Sequence, residues 1–171
     1  MRKLFPLVLL AFLLVLLTYY FFPEKKLDPH TVIDKLEVIK SKRELIAYSN
    51  GEVVKVYTVA LGREPLGDKK EEGDHRTPEG SYTINSKNPH SGWYKNLGIS
   101  YPNEDDIAEA KKNGKHTGGD IKIHALKNGW GFIGKFQRWM DWTAGCIAVT
   151  DEEMDELYEH VAVGTPILIR P

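Results

Sequence analysis

The single cysteine of the chain, Cys146, stands in a sequence context that suits a nucleophile. It follows Thr143, Ala144 and Gly145 and precedes an apolar run over residues 147–149, which predicts a thiol at the mouth of a strand. A glycine at this point lets the backbone approach a ligand, so the N–H groups of Gly145 and Cys146 are candidates for stabilising an oxyanion. A lone cysteine is more often a small buried core residue, and that alternative stays open here.

A thiol with an ordinary pKa of ~8.5 needs a neighbouring base to become a nucleophile at neutral pH. Of the six histidines, His124 ends a strand-like run over residues 121–124 and precedes Cys146 by a distance that one loop can fold back. The competing interpretation is a histidine satisfied within the core or at its rim. Other chemistries lack a motif, because the sequence has no H-E-x-x-H zinc spacing, no glycine-rich phosphate loop and no G-x-S-x-G serine elbow.

The elements that must position these two residues are predicted to be mostly strands. Residues 36–60 alternate with period two around Asn50-Gly51, which is typical of a type I′ hairpin. Further strands are predicted over residues 80–84, 119–124, 147–149 and 165–169, and helices over 104–113 and 150–161. Residues 61–78 and 85–103 read as long irregular stretches, which are uncommon unless they build a site. The predicted fold class is mainly β (α+β), a β-sandwich or half-barrel with one or two helices.

The composition limits the possible domain number, metal sites and partners of the protein. The chain has 171 residues, 42% of them hydrophobic, which suits one domain with a real core. One cysteine excludes an internal disulfide framework and a multi-cysteine metal site. The net charge of −1 argues against a nucleic-acid partner. The oligomeric state is not encoded in any pattern.

The N-terminus differs from the rest of the chain. Residues 4–22 carry no charge, are almost entirely apolar and follow Arg2 and Lys3. The segment ends in bulky aromatic residues before Pro23 rather than in the small residues of a cleavage site. We therefore predict a transmembrane anchor over residues 1–22, a linker over 23–35 and a catalytic domain over 36–171. The positive-inside rule places that domain on the extracytoplasmic, periplasmic side of the membrane.

Four ordered segments resemble the L,D-transpeptidase (YkuD-type) catalytic domain family. His124 and the Thr143-x-Gly145-Cys146 sequence are similar to the two halves of its motif, and residues 73–80 are similar to its Thr-Pro-x-Gly turn. Residues 97–103 and 118–121 resemble the branch that also contains peptidoglycan–lipoprotein amidases. The resemblance covers residues 36–170, essentially the whole globular part.

The resemblance implies a role for each motif residue. Cys146 is the expected nucleophile and His124 the general base and acid, and the Ala125 carbonyl is expected to fix the imidazole tautomer. Gly145 and Thr143 are the remaining orienting or oxyanion residues. No metal and no organic cofactor is implied.

Three departures from the family pattern bear on the substrate. Ala144 and Ala148 replace a usual histidine and a frequent arginine, and the loop over residues 127–142 is longer than usual. That loop is rich in aromatic residues, which are either core residues or a lid on glycan or stem peptide. On the lid interpretation Trp142 packs on substrate and Arg138 meets a carboxylate. Tyr94, Tyr101 and Asn103 are weaker candidates for the same groove.

The sequence thus predicts a membrane-anchored cysteine peptidyltransferase that acts on peptidoglycan stem peptides. An acyl-enzyme on Cys146 would pass to an amine acceptor in cell-wall cross-linking or remodelling. One alternative is an L,D-carboxypeptidase or amidase that hydrolyses cross-links or a protein–peptidoglycan bond. A second is a non-catalytic peptidoglycan-binding module with a structural cysteine.

Overall fold

One mixed sheet of eight strands carries the fold. The structure, a computed structural model, describes residues 4–171. The strands are β1 (Lys35–Ile39), β2 (Glu44–Ser49), β3 (Glu52–Thr58), β4 (Gly80–Ser91), β5 (Tyr94–Ile99), β6 (Lys122–His124), β7 (Ile147–Ala148) and β8 (Pro166–Arg170). Their spatial order is β3-β2-β1-β8-β4-β5-β6-β7. The β1–β8 and β6–β7 pairs are parallel and the others are antiparallel.

The helices lie at the ends and faces of this sheet. They are α1 (Leu4–Phe21), α2 (Glu104–Lys112) and α3 (Asp151–His160), with 3-10 segments at Lys40–Lys42 and Gly131–Trp139. Both helices predicted for the globular part are confirmed. Each begins with a capping box, Asn103 with Asp106 and Thr150 with Glu153, which satisfies backbone N–H groups of the first turn.

The predicted hairpin between β2 and β3 is also confirmed. Asn50 and Gly51 both have positive φ, 53° and 81°, as a type I′ turn requires. The alternation in these strands turns Leu45 and Tyr57 into the core, where both are fully buried. They join a single apolar cluster whose largest members include Leu36, Ile84, Leu97, Ile123, Ile147, Met154, Leu157 and Ile167.

The irregular stretch predicted over residues 85–103 is wrong, because it contains most of β4 and all of β5. Strand β4 runs for 12 residues, pairing first with β8 and then with β5. The register of its pairing with β5 shifts twice, after Ile84 and after Asn88. These irregularities, and the polar residues Ser86 and Lys87, remove the period-two alternation from which strands are recognised. The backbone hydrogen bonds between β4 and β5 therefore form without a hydrophobic pattern that would predict these strands.

The two edges of the sheet meet beside Cys146. Past the end of β3, the N–H of Ala60 donates to the Ala148 carbonyl at 3.0 Å, and the Ala148 N–H donates back at 2.8 Å. A second bridge joins Gly62 to Thr143. The side chain of Asp141 reinforces the contact by accepting from the Leu61 N–H at 2.9 Å. The open sheet thus becomes the half-barrel that the sequence predicts.

Helix α1 covers the segment predicted to be a membrane anchor. Among the helices within residues 4–171, none is long and apolar enough to cross a membrane, so the structure does not support that prediction. The last turn of α1 instead contacts the 3-10 segment Gly131–Trp139. Tyr20 donates its hydroxyl proton to the Phe132 carbonyl at 2.7 Å and its ring packs on Phe136, with the centroids 5.3 Å apart.

The closure gives a packing reason for Ala148 in β7, at a position where the family that the sequence resembles frequently has arginine. Ala148 is fully buried between β6 and the Ala60 bridge. Ala148→Arg would overpack this site and bury an unpaired charge, and we expect it to lower the free energy of unfolding by about 3 kcal/mol or more. Ala144→Arg, at an exposed neighbouring position, is the matched control and should change stability little. Urea denaturation of both variants measures the difference, and equal stabilities would contradict this account of the packing.

Candidate active site

Strand register brings His124 and Cys146 to one face of the sheet. In the parallel β6–β7 pair, Ile123 lies opposite Ile147 and His124 opposite Ala148. Cys146 immediately precedes β7, so continuing this register places it opposite Lys122. Side chains two residues apart share a face of a strand, so Lys122, His124 and Cys146 face the same side. The sequence prediction that these two motif halves come together agrees with this placement.

The His124 imidazole has the hydrogen bond that a general base needs. Its Nδ1 lies 2.7 Å from the Ala125 carbonyl oxygen, which can only accept, so Nδ1 carries the proton in the neutral ring. Nε2 is then the nitrogen with a free lone pair. The Ala125 carbonyl thus lies where the family resemblance implies, and its role in the reaction stays a prediction.

Two tryptophan rings enclose the imidazole. The Trp93 centroid lies 5.0 Å from that of His124, and the Trp142 ring meets His124 edge to face at 5.7 Å. The two indoles stack on each other at 5.5 Å. Trp142 is itself anchored, because its Nε1–H donates to Gln137 Oε1 at 3.0 Å. His124 is only 6% exposed as a result.

The turn that carries Trp93 is held by Asn128, in the loop after His124. The Asn128 side chain accepts from the Tyr94 N–H at 2.8 Å and donates to the Ser91 carbonyl at 3.0 Å, and its N–H donates to the Gly92 carbonyl at 3.1 Å. These bonds tie the β4–β5 turn to the segment that leaves β6. The position of Trp93 is therefore coupled to that of His124.

The loop before Cys146 is shaped by Thr143 and Gly145. The Thr143 hydroxyl donates to the Cys146 carbonyl at 2.7 Å and accepts from the Gly145 N–H at 3.1 Å. Gly145 has φ +132°, and a Cβ there would lie 2.7 Å from the Arg76 carbonyl oxygen, so only glycine fits. Thr143 thus occupies an orienting position. The Gly145 N–H, predicted as an oxyanion donor, already has an acceptor, which leaves the Cys146 N–H as the expected donor.

Burial dominates the electrostatics of both reactive groups. It raises the pKa of the Cys146 thiol, and the Asp120 carboxylate adds to that shift, while the Lys122 N–H and the Lys122 and Lys69 cations act in the opposite direction. Burial lowers the pKa of His124, the Ala125 carbonyl opposes that shift, and Lys122 adds to it. Burial thus disfavours the charged form of each group, the thiolate of Cys146 and the imidazolium of His124.

The other predicted substrate residues have partners within the chain. Tyr94 and Tyr101 donate their hydroxyl protons to Asp155 and to the Thr117 carbonyl, each at 3.0 Å, and Tyr101 is buried. Asn103 caps α2. Arg138 pairs with Glu24 at 2.8 Å and Glu153 at 2.7 Å. Among these candidates Trp142 is the one placed against His124, and the substrate roles of the group stay predictions.

Sequence reasoning missed three residues of the site, Trp93, Lys122 and Gln137. Trp93 and Gln137 reach His124 and Trp142 through the tertiary fold, which no local pattern signals. Lys122 was accessible to sequence reasoning, since it lies two residues before His124 on one strand and so shares its face. Over the described part of the chain, no group of three or more His, Cys, Asp or Glu side chains is placed to hold a metal ion.

Removing the Trp93 ring should change the titration of His124. Trp93→Ala would open the imidazole to water, and because burial is what depresses its pKa, we expect that pKa to rise. Less of the neutral base would then be present in weakly acidic solution. NMR titration of the imidazole measures the shift, and Trp130→Ala, an exposed tryptophan stacked on Phe132, should leave it unmoved. An unchanged pKa in Trp93→Ala would contradict this assignment.

Comparison with known proteins identifies the family. The model of the YkuD family, the L,D-transpeptidase catalytic domain, matches residues 33–169. YqjB of Bacillus subtilis, provisionally named an L,D-transpeptidase, is 30% identical over 148 residues, covering 83% of this chain and 71% of its own length. YafK of Escherichia coli, with the same provisional name, is 26% identical over 133 residues, and the match covers 74% of this chain but 46% of YafK. The chain therefore spans about half the length of that relative.

Solved structures share the fold. The helical cell shape determining protein Pgp2 of Campylobacter jejuni, in its K307A mutant, superposes with a TM-score of 0.60 at 24% identity, covering 82% of this chain and 48% of Pgp2. An L,D-transpeptidase from Xylanimonas cellulosilytica gives 0.54 at 15% identity, covering 86% of this chain and 65% of its own. Together with the family match over residues 33–169, these findings show that the chain belongs to the YkuD family of L,D-transpeptidase catalytic domains.

Proposed function

We propose that this protein is a cysteine peptidyltransferase that acts on peptidoglycan stem peptides, with Cys146 as nucleophile and His124 as base. The observation that carries the proposal is the 2.7 Å contact between His124 Nδ1 and the Ala125 carbonyl, on a face shared with Cys146. It leaves Nε2 as the ring nitrogen that is free to accept a proton. Membership of the family supports the substrate class.

Acylation follows from this arrangement. His124 Nε2 takes the thiol proton as Sγ attacks the carbonyl carbon between an L-centre and a D-centre of the stem peptide. The Cys146 N–H supports the developing oxyanion. The C–N bond then breaks, the imidazolium returns the proton to the leaving amine, and terminal D-alanine departs from a thioester on Cys146.

The second half of the reaction decides between transfer and hydrolysis. An amine acceptor, or water, attacks the thioester carbonyl while His124 takes its proton, and the thiolate leaves and is protonated. The enclosure of His124 by Trp93 and Trp142 limits water at the base. This favours transfer to an amine and a role in cell-wall remodelling.

Cys146→Ser, which preserves the shape of the side chain, tests the chemistry. With purified disaccharide-tetrapeptide, we expect wild type to release D-alanine and Cys146→Ser to be slower by about a thousandfold or more. Intact-mass analysis after exposure to a reactive β-lactam should show an adduct on wild type alone. Equal behaviour of the two proteins, with no adduct, would contradict the proposal and favour a peptidoglycan-binding module.

The products of the same assay separate the two enzyme activities. New tetrapeptide dimers formed with loss of D-alanine are expected for transfer. Disaccharide-tripeptide without dimers would instead identify an L,D-carboxypeptidase with the same nucleophile. Mass spectrometry distinguishes these products directly.

The proposal also places the catalytic domain outside the cytoplasm, where peptidoglycan lies. The apolar segment over residues 4–22, preceded by Arg2 and Lys3, is proposed as the export signal and retained tether. We expect protease added to spheroplasts to cut the domain and the mature protein to keep an intact N-terminus. A protease-resistant domain in intact spheroplasts would contradict this localisation.

A further inference from the structure

We propose that Lys122 is a specificity-determining residue that binds a substrate carboxylate beside Cys146. The identity of that carboxylate, the free C-terminus of the leaving D-alanine, rests on the proposed function. The binding of an anion next to the thiol does not, and it can be tested separately.

The position of Lys122 is set by the strand that presents His124. Lys122 begins β6, two residues before His124, and the β6–β7 register places it opposite Cys146. Its side chain therefore starts on the face that carries both reactive groups. The Cys146 Sγ also lies 3.7 Å from the carbonyl oxygen of Asp120, two residues further back. The thiol thus sits against the start of the strand that carries Lys122.

The charges around the thiol single out Lys122. Two cations act on Cys146, Lys122 and Lys69. The Lys69 side chain is 4% exposed and is held by Asp74 at 2.7 Å and by the Glu71 carbonyl at 3.0 Å, so it is committed to the fold. Lys122 is 30% exposed and pairs with Asp120, 2.6 Å away, whose carboxylate is 81% exposed.

An exposed pair of this kind is easily exchanged. Ion pairs in contact with water contribute little net stability, because each charge is well solvated when they separate. A substrate carboxylate can therefore replace Asp120 at Lys122 with little loss. Strand β7 offers no competing cation, because it consists of Ile147 and Ala148. Arg138 is already held by Glu24 and Glu153.

The chemistry of the substrate matches this position. The carboxylate of D-alanine is separated from the scissile nitrogen by a single carbon, so it must lie close to Sγ when the carbonyl is attacked. An ammonium beside the thiol would hold it there and select peptides that end in a free carboxylate. Peptides with a blocked terminus would lack the contact.

Two alkylating agents that differ in charge test the site on the full chain. Iodoacetate and iodoacetamide each form a C–S bond at Cys146 with loss of iodide, while the thiol proton passes to the base. Because Cys146 is the one cysteine of the chain, labelling reports this site alone. Each rate is divided by the rate with free cysteine, and the ratio of iodoacetate to iodoacetamide then measures the preference for an anion.

Removing Lys122 alone would leave the Asp120 carboxylate unpaired beside the thiol, where it would itself repel iodoacetate, so the variants are made without that carboxylate. In an Asp120→Asn background, we expect Lys122→Met or Lys122→Gln to lower the anion preference by about threefold and Lys122→Arg to preserve it. Lys127→Met, which removes an exposed lysine from the next loop, should have no effect. An unchanged preference in both neutral Lys122 variants, or an equal loss in Lys127→Met, would overturn the proposal.

A substrate assay links the anion site to the reaction. Lys122→Met should raise KM for the tetrapeptide more than it changes kcat, and should leave KM for a C-terminal amide analogue unchanged. Loss of activity toward both peptides with no split in KM would overturn the assignment of the carboxylate to D-alanine. Since alkylation requires no turnover, the anion preference is measured even if the proposed reaction fails.

Discussion

The backbone pair between Ala60 and Ala148 is the constraint on which the site depends. An eight-stranded open sheet would leave β3 and β7 as free edges, and β7 is only two residues long. Two hydrogen bonds join these edges at the residue that lies opposite His124. Cys146 therefore leads directly into a short strand that is paired on both sides, and the rigidity of this strand comes from its neighbours rather than from its length.

The same closure affects the ionisation of Cys146 and His124. Two tryptophan rings remove His124 from water, whereas Cys146, which ends a tight loop beside the joined edges, stays partly exposed. Desolvation favours the neutral form of each, and no preformed thiolate–imidazolium pair is needed at rest. In the proposed reaction, proton transfer accompanies attack, and the Ala125 carbonyl stabilises the positive charge on His124.

Local patterns were enough to predict many of the regular elements, while the roles of the motif residues came from the family resemblance and stay predictions. The Asn50-Gly51 turn, the two helices of the globular part and the strand ending at His124 all depend on neighbouring residues, and each has the structure expected. Most of β4 and all of β5 were missed because shifted register and polar faces erase the alternation. Arg138 has the residue type for carboxylate binding, but its partners Glu24 and Glu153 come from distant parts of the chain. Such assignments require tertiary contacts that periodicity does not contain.

The contact between α1 and the 3-10 segment extends the structural unit beyond the residues that the family match covers. The family match begins at residue 33, yet Tyr20 and Glu24, which precede it, hold Phe132 and Arg138. The 3-10 segment they hold carries Gln137, the partner of Trp142 beside His124. A chimera that joined residues 33–169 to a foreign leader would leave Arg138 with one carboxylate instead of two. A chimera should therefore transfer the N-terminal segment together with the catalytic domain.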